Sequence, residues 1–183
     1  MSIRHLRHVH RAAGFTLVEL LVTAAVLVVV SSISFPNVVR FYEDQKLRQA
    51  AIELQSHLQR GRTLAQRFQN LCTLGISSGA AGAAVQVSGT TVTNNSCAAA
   101  NLQALDLSAV TGVSGLSVTC SGSGCSTPVA INFLPLGVLA GDAQTVFLAG
   151  TATATQFCVD LDLTLIRVGF RNGSSGACTY SRS

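Results

Sequence analysis

A lone carboxylate in an apolar segment is the first residue of this sequence that could do chemistry. Glu19 is the only charged residue between Phe15 and Phe35. An unpaired charge in hydrocarbon is unfavourable, so a carboxylate there indicates a functional residue with a cationic partner. A cut after Gly14 would create such a partner, the new α-amino group of Phe15. Glu19 is poorly placed to reach the terminus of its own helix, so we expect it to dock the terminus of a neighbouring subunit.

Six cysteines could form disulfides or bind a metal. All of them follow the apolar segment, at Cys72, Cys97, Cys120, Cys125, Cys158 and Cys178. An even number on the exported side of a membrane segment indicates disulfides formed in an oxidising compartment. Short separations favour Cys120–Cys125 and Cys158–Cys178, which leaves Cys72–Cys97, although other pairings stay open. A metal site is not favoured, because the sequence has no C-x-x-C pair and only His57 outside the leader.

The sequence does not indicate an enzyme. GISSG, at Gly75–Gly79, fits the G-x-S-x-G pattern, but that pattern needs a strand-to-helix elbow and a histidine later in the chain. His57 precedes it, and we expect this histidine to be exposed on a helix. A turn of glycine and serine is therefore the better interpretation of GISSG, and we expect neither catalysis nor a cofactor.

The segment Phe15–Phe35 is long enough to cross a membrane. As a helix it spans a hydrocarbon core of about 30 Å. The leader before it carries three arginines and no acid, so the positive-inside rule keeps the N-terminus in the cytoplasm and exports the rest. The run continues to Pro36 without the small-residue cleavage site of a secretory signal, so we expect the segment to be kept.

A second helical pattern follows Pro36. Small or apolar residues recur at alternating steps of four and three, at Leu47, Ala51, Leu54, Leu58, Gly61, Ala65, Phe68 and Cys72. This spacing predicts a helix with a narrow apolar stripe, and its basic residues suit a solvated face. We expect one helix of roughly fifty residues, with a kink or a looser turn at Pro36.

The rest of the chain has the pattern of β-structure. Short runs are separated by Gly, Ser, Asn and Thr, and these runs are CTLGI, AAVQV, TTVT, LSVTC, VAINFL, QTVFLA, QFCVDL and TLIRVGF. The helical crossovers that parallel strands need are missing from this pattern, so an antiparallel sheet is expected. Residues 94–115 are expected to form a long loop or small excursion. The predicted fold class is α+β, a long N-terminal helix packed on an antiparallel β-sheet head.

The N-terminus resembles a known family. The stretch GFTLVELL, Gly14–Leu21, follows a basic leader and opens a long apolar helix, as in type IV prepilins and type II secretion pseudopilins. The resemblance implies cleavage between Gly14 and Phe15 by a prepilin peptidase and N-methylation of Phe15. It also implies that Glu19 pairs with the N-terminus of a neighbouring subunit. Pro36 lies where many pilins carry a helix-kinking proline.

Two later stretches are similar to the GspH/FimT group of minor pilins and pseudopilins. INFLPLG, Ile131–Gly137, matches its F-x-P-x-G segment at Phe133, Pro135 and Gly137. FCVDLDLTLIRV, Phe157–Val168, lies where the group has a strand, a turn and a strand near the C-terminus.

DNA binding is the alternative that this resemblance raises. Some members of the group bind DNA for uptake and resemble one another in a G-R-x-R turn, where this chain has Thr164–Arg167 and only the second arginine. A weak contact through Arg167 and Arg171 stays open but is not favoured. The net charge of +4 owes three charges to the leader, and the chain after Thr73 has three arginines against four aspartates. A basic footprint for nucleic acid is therefore missing from the head.

The sequence thus predicts a minor type IV pilin or pseudopilin that helps initiate or cap a filament. The predicted domains are a cleaved leader (1–14), a transmembrane helix (15–36), its amphipathic continuation (37–72) and a periplasmic β-rich head (73–183). The expected partners are a prepilin peptidase, other pilins or pseudopilins and an inner-membrane assembly platform. The chain would be a single-pass inner-membrane protein before it enters the filament. A simple membrane-anchored periplasmic domain is a further alternative, and it leaves Glu19 unexplained.

Overall fold

The computed structural model describes residues 15–79, 82–87, 95–112, 115–122, 125, 129–151 and 153–180 of the chain. Gly14 and the TTVT run lie outside these residues. The chain divides into two compact units, Met1–Val39 and Arg40–Ser183.

One long helix, α1, comprises Leu17–Phe68. Thr16 caps its start, because the Thr16 hydroxyl accepts a hydrogen bond from the Glu19 N–H at 3.2 Å. The helix ends where Gln69 adopts the left-handed backbone conformation, with φ of 53°. The helix has 52 residues, in agreement with the predicted length of roughly fifty. It ends at Phe68, however, and Cys72, the expected last residue, begins a strand.

The described part of the head contains nine strands and two short helices. The strands are β1 Cys72–Gly79, β2 Gly82–Val87, β3 Leu105–Asp106, β4 Ser117–Ser121, β5 Val129–Phe133, β6 Gln144–Ala149, β7 Thr155–Leu161, β8 Ile166–Asn172 and β9 Thr179–Tyr180; the helices are α2 Ser96–Ala99 and α3 Leu107–Thr111. They form one sheet in the order β3-β2-β1-β5 and another in the order β4-β6-β7-β8-β9, and the strand pairs are antiparallel. The predicted α+β class is confirmed.

Two local predictions were wrong. The head has two sheets where one was expected. The GISSG stretch belongs to strand β1 rather than to a turn, because each of its residues has a partner in β2. Of the two alternatives for residues 94–115, the small excursion agrees with the structure, because the described residues there contain α2, β3 and α3.

The stripe of α1 forms one side of the core of the head. Leu47, Leu54 and Leu58 are fully buried and share a cluster with residues of both sheets, among them Leu74 and Leu148. Burial of large aliphatic side chains of this kind supplies the main driving force for such a fold.

Two residues on α1 differ from the prediction. Phe68, placed on the stripe, is 43% exposed. His57, expected to be exposed, is only 6% exposed. His57 lies one residue before Leu58 and four before the buried Gly61, so the turn of the helix carries it to the edge of the stripe.

Gly61 permits a close approach between α1 and β1. A Cβ atom at Gly61 would lie 2.7 Å from Leu74 Cδ1 and 3.3 Å from Cys72 Sγ. Because glycine has no side chain, strand β1 can pack directly against the helix backbone at this position.

Side chains on α1 also hold distant loops. Gln55 donates to the Ile166 carbonyl at 2.8 Å, and Arg62 donates to the Thr164 carbonyl at 2.6 Å. Gln66 donates to the Leu136 carbonyl at 3.0 Å. The helix thus positions both the β7–β8 hairpin and the loop after β5.

Three disulfides fasten the head. They join Cys72 to Cys97, Cys120 to Cys125 and Cys158 to Cys178, the pairs that the separations in sequence favoured. Cys72 and Cys97 are fully buried beside Gly61. Cys158 of β7 ties down the segment that leads into β9.

No single helix among the described residues is both long and apolar enough to cross a membrane. The helical segments Leu17–Ser32 and Asn37–Phe68 satisfy that criterion of length and composition only when they are taken together.

Candidate functional site

The predicted processing site lies at the edge of the described chain. Gly14 is outside the described residues, and Phe15, the first of them, is 76% exposed. Cleavage after Gly14 and N-methylation of Phe15 stay predictions.

The first turns of α1 present an apolar surface. Each large apolar side chain from Leu17 to Val30 is at least 55% exposed. The hydroxyls of Thr23, Ser31 and Ser32 donate to carbonyls three or four residues earlier in the same helix, at 2.7 to 2.9 Å. Because these polar groups need no water, this surface suits contact with hydrocarbon or with apolar side chains of another helix.

Glu19 is the exception on this surface. Its carboxylate lies in the first turn of α1, where the helix dipole favours a negative charge. Across the part of the chain that the structure describes, no basic group lies within ion-pair distance of it. The geometry leaves this carboxylate open to a cation from another molecule.

Pro36 lies within α1, in the interval between the two segments Leu17–Ser32 and Asn37–Phe68. The kink assigned to this proline stays a prediction.

Arg167, the arginine kept from the DNA-binding pattern, is paired within its own sheet. It faces Asp160 across the β7–β8 ladder and donates to its Oδ2 at 2.7 Å. Its guanidinium also lies over the Tyr180 ring, 4.8 Å from the centroid. Burial, and then the Asp160 carboxylate, raise the pKa of the Tyr180 phenol.

Arg171 is held in a similar way. Its Nε and Nη2 both donate to Gln156 Oε1, at 3.0 and 2.7 Å, and its guanidinium lies 3.7 Å from the Phe147 ring centroid. A phosphate would have to compete with Asp160 at one arginine and with Gln156 at the other. This arrangement makes a poor phosphate site, because nonspecific DNA affinity depends on cations that are free to neutralise phosphates.

The F-x-P-x-G segment forms a turn that contacts α1. The Gly137 N–H donates to the Leu134 carbonyl at 2.7 Å, with Pro135 at the second position of the turn. Gly137 has φ of 73°, and a Cβ atom there would overlap the Gln66 side chain. Phe133, before the turn, is buried in the core.

Other side chains have structural roles that the sequence did not reveal. Arg62 and Gln66 bind loop carbonyls, yet on the helix they have the spacing of ordinary solvated residues. Over the described ranges, no group of His, Cys, Asp and Glu is arranged to hold a metal ion.

Comparisons with known proteins agree with this geometry. Residues 9–35 match the prokaryotic N-terminal methylation motif. The fold is similar to the crystal structure of the type IV minor pilin FimU of Pseudomonas aeruginosa strain PAO1, with a TM-score of 0.50 and 17% sequence identity; the match covers 74% of this chain and 95% of that chain. No curated protein sequence matches the chain.

The chain therefore carries a prepilin-type N-terminus and has the fold of a pilin. Both comparisons are with pilins, which are structural subunits and not enzymes. The methylation motif implies a helix that anchors the chain in a membrane. The finer assignment to the GspH/FimT group stays a resemblance.

Proposed function

We propose that this chain is a minor type IV pilin or pseudopilin that helps initiate or cap assembly of a filament. The observation that carries the proposal is Glu19, whose carboxylate has no basic group within ion-pair distance among the described residues and lies on an exposed apolar helix within the matched methylation motif. The similarity of the fold to a minor pilin supports it.

The chain enters this function by processing at its N-terminus. A prepilin peptidase cuts between Gly14 and Phe15, and Phe15 is then N-methylated. The mature chain is anchored in the bacterial inner membrane by residues 15–36, with its N-terminus cytoplasmic and residues 73–183 periplasmic. Residues 37–68 continue the helix, and Cys72 begins the first strand of the head.

Assembly follows from the same helix. The apolar side chains of Leu17–Val30 leave the lipid and pack against the helices of other pilins or pseudopilins, and an inner-membrane platform drives the step. Glu19 pairs with the α-amino group of a neighbouring subunit. A contact that repeats without closing generates a helical filament.

A pilus is favoured over a secretion pseudopilus. The three disulfides suit a head that remains outside the cell, where it meets shear and proteases. A role in DNA uptake is not proposed, since the guanidiniums of Arg167 and Arg171 are engaged within the head.

Deletion of the gene tests this function, with surface piliation and exoprotein secretion scored in the same strain. Loss of pili with normal secretion is expected for a minor pilin. Loss of secretion with intact pili would make the chain a pseudopilin. Normal piliation together with normal secretion would contradict the proposal and favour a membrane-anchored domain, and complementation with the wild-type gene is the control.

A further inference from the structure

A groove on the head lies outside the features considered so far. It runs between α1 and the segment Ala100–Leu105, which leads into β3, and its volume is about 670 Å³. The groove belongs wholly to the unit Arg40–Ser183.

The groove carries positive charge and no negative charge. Arg60 and Arg67 are among its lining residues, and none of the lining residues is acidic. The next acid along the chain, Asp106, caps α3 by accepting from the Ser108 and Ala109 N–H groups at 3.0 Å each. An anionic ligand would therefore meet two guanidiniums without a competing carboxylate in the groove.

Apolar side chains lie between the two charges. Leu64, Leu102 and Leu105 line the groove and pack against the core of the head. The ligand that fits must therefore combine apolar groups with its charges.

The spacing of the arginines sets the length of the ligand. Arg60 and Arg67 are seven residues apart on α1, which is about 10 Å along a helix axis. A peptide in the extended polyproline II conformation rises about 3.1 Å per residue with three residues per turn, so carboxylates three residues apart lie on one face and are about 9 Å apart, close to that spacing.

The protonation of His57 can report whether a ligand is bound in the groove. His57 is among the lining residues, and its Nε2 is buried without a hydrogen-bond partner in the described part of the chain. Burial, and then the charge of Arg60, lower the pKa of His57. The negative charge of a carboxylate bound nearby would favour the imidazolium and so raise the pKa of His57.

We propose that this groove binds an extended acidic segment of a partner protein, with two carboxylates three residues apart and apolar residues between them. Arg60 and Arg67 hold the carboxylates, and Leu64 and Leu102 contact the apolar residues. This inference does not rest on the proposed function, because it uses only residues of the unit Arg40–Ser183.

A protein segment suits the groove better than a nucleic acid does. Nucleic-acid affinity grows with the number of phosphates neutralised, and this groove offers two guanidiniums. Its leucines can make apolar contacts with the side chains of a peptide but not with a phosphate backbone.

The test uses the full-length chain in detergent, labelled at its histidine rings. The probe is a blocked peptide in which two glutamates flank two apolar residues, and the control peptide has glutamines in their place. The His57 resonance is identified by its loss in His57→Gln. Saturable binding of the glutamate peptide, with a rise in the pKa of His57, is expected.

Arginine variants locate the binding. Arg60→Gln and Arg67→Gln should each weaken binding roughly tenfold or more, as expected for a lost hydrogen bond to a charged group. Arg48→Gln, an exposed arginine on α1 outside the groove, should leave it unchanged. Equal binding of the glutamine peptide, an unchanged His57 signal or no effect of Arg60→Gln and Arg67→Gln would overturn the proposal. Tighter binding of a mixed-sequence oligonucleotide would make the groove a nucleic-acid site and would also overturn it.

Discussion

At the scale of the residue, Glu19 is the side chain on which the proposed assembly depends. The Glu19→Ala variant should still be processed and inserted, because an alanine favours both the helix and the apolar surface. It should be depleted roughly tenfold or more from sheared filaments, because a charge-assisted contact with a neighbouring terminus is lost. Quantitative immunoblots of sheared and membrane fractions measure this.

Glu53→Ala is the matched control, since Glu53 lies on α1 within the unit Arg40–Ser183 and far along the chain from the N-terminus. Filaments that contain the Glu19→Ala variant at the normal level would contradict the docking role of Glu19.

Individual residues were predictable where their surroundings made them exceptional. A carboxylate in an apolar run needs an explanation, so Glu19 was identifiable from the sequence. Gln66 was not, because the carbonyl that it binds belongs to Leu136, 70 residues later. The prediction for His57 was wrong because it was based on the polar character of histidine. The position of His57 beside Leu58 and Gly61 places it at the edge of the buried stripe.

At the scale of the element, the turn after β5 packs closely against α1 at Gly137, which lies against the Gln66 side chain. Gly137→Ala should lower the free energy of unfolding by about 1–3 kcal/mol, since it adds left-handed strain and a clash with Gln66. In a Gln66→Ala background the loss should be smaller, because only the backbone strain remains. Chemical denaturation of the four proteins in this cycle measures both values.

Gly141→Ala provides the comparison for strain alone, since Gly141 also has a positive φ but has open space where its Cβ would be. An identical loss for Gly137→Ala in both backgrounds would show that the contact with Gln66 contributes nothing.

Elements were easier to predict than their pairing. Strands such as β6 and β7 follow one another and show the local pattern of a strand, so both could be predicted from the sequence. The division into two sheets could not be predicted in this way. Strand β1 pairs with β5, and the residues of β5 lie more than 50 positions later in the chain than their partners in β1. Antiparallel pairing over such distances leaves no local signal.

At the scale of the whole molecule, the three disulfides should differ in what they contribute. The chain-entropy account gives about 3.5 kcal/mol for a loop the size of Cys72–Cys97 and about 2 kcal/mol for one the size of Cys120–Cys125. The first pair is also fully buried, so its replacement disturbs the core. The double variant Cys72→Ser/Cys97→Ser should therefore unfold at clearly lower denaturant concentration than Cys120→Ser/Cys125→Ser. Equal midpoints would contradict this ranking.

The bonds between α1 and the distant loops also have a consequence for the order of events in folding. Gln55 and Arg62 bind carbonyls that lie 111 and 102 residues later in the sequence. Contacts between residues so far apart raise the contact order, and a high contact order slows folding. The helix is synthesised early, but its contacts are complete only when strand β8 has been made, since Ile166 follows Gln55 by 111 residues. Until then the stripe of α1 lacks its full cover, and it is in this interval that the newly made chain is most open to contacts with others.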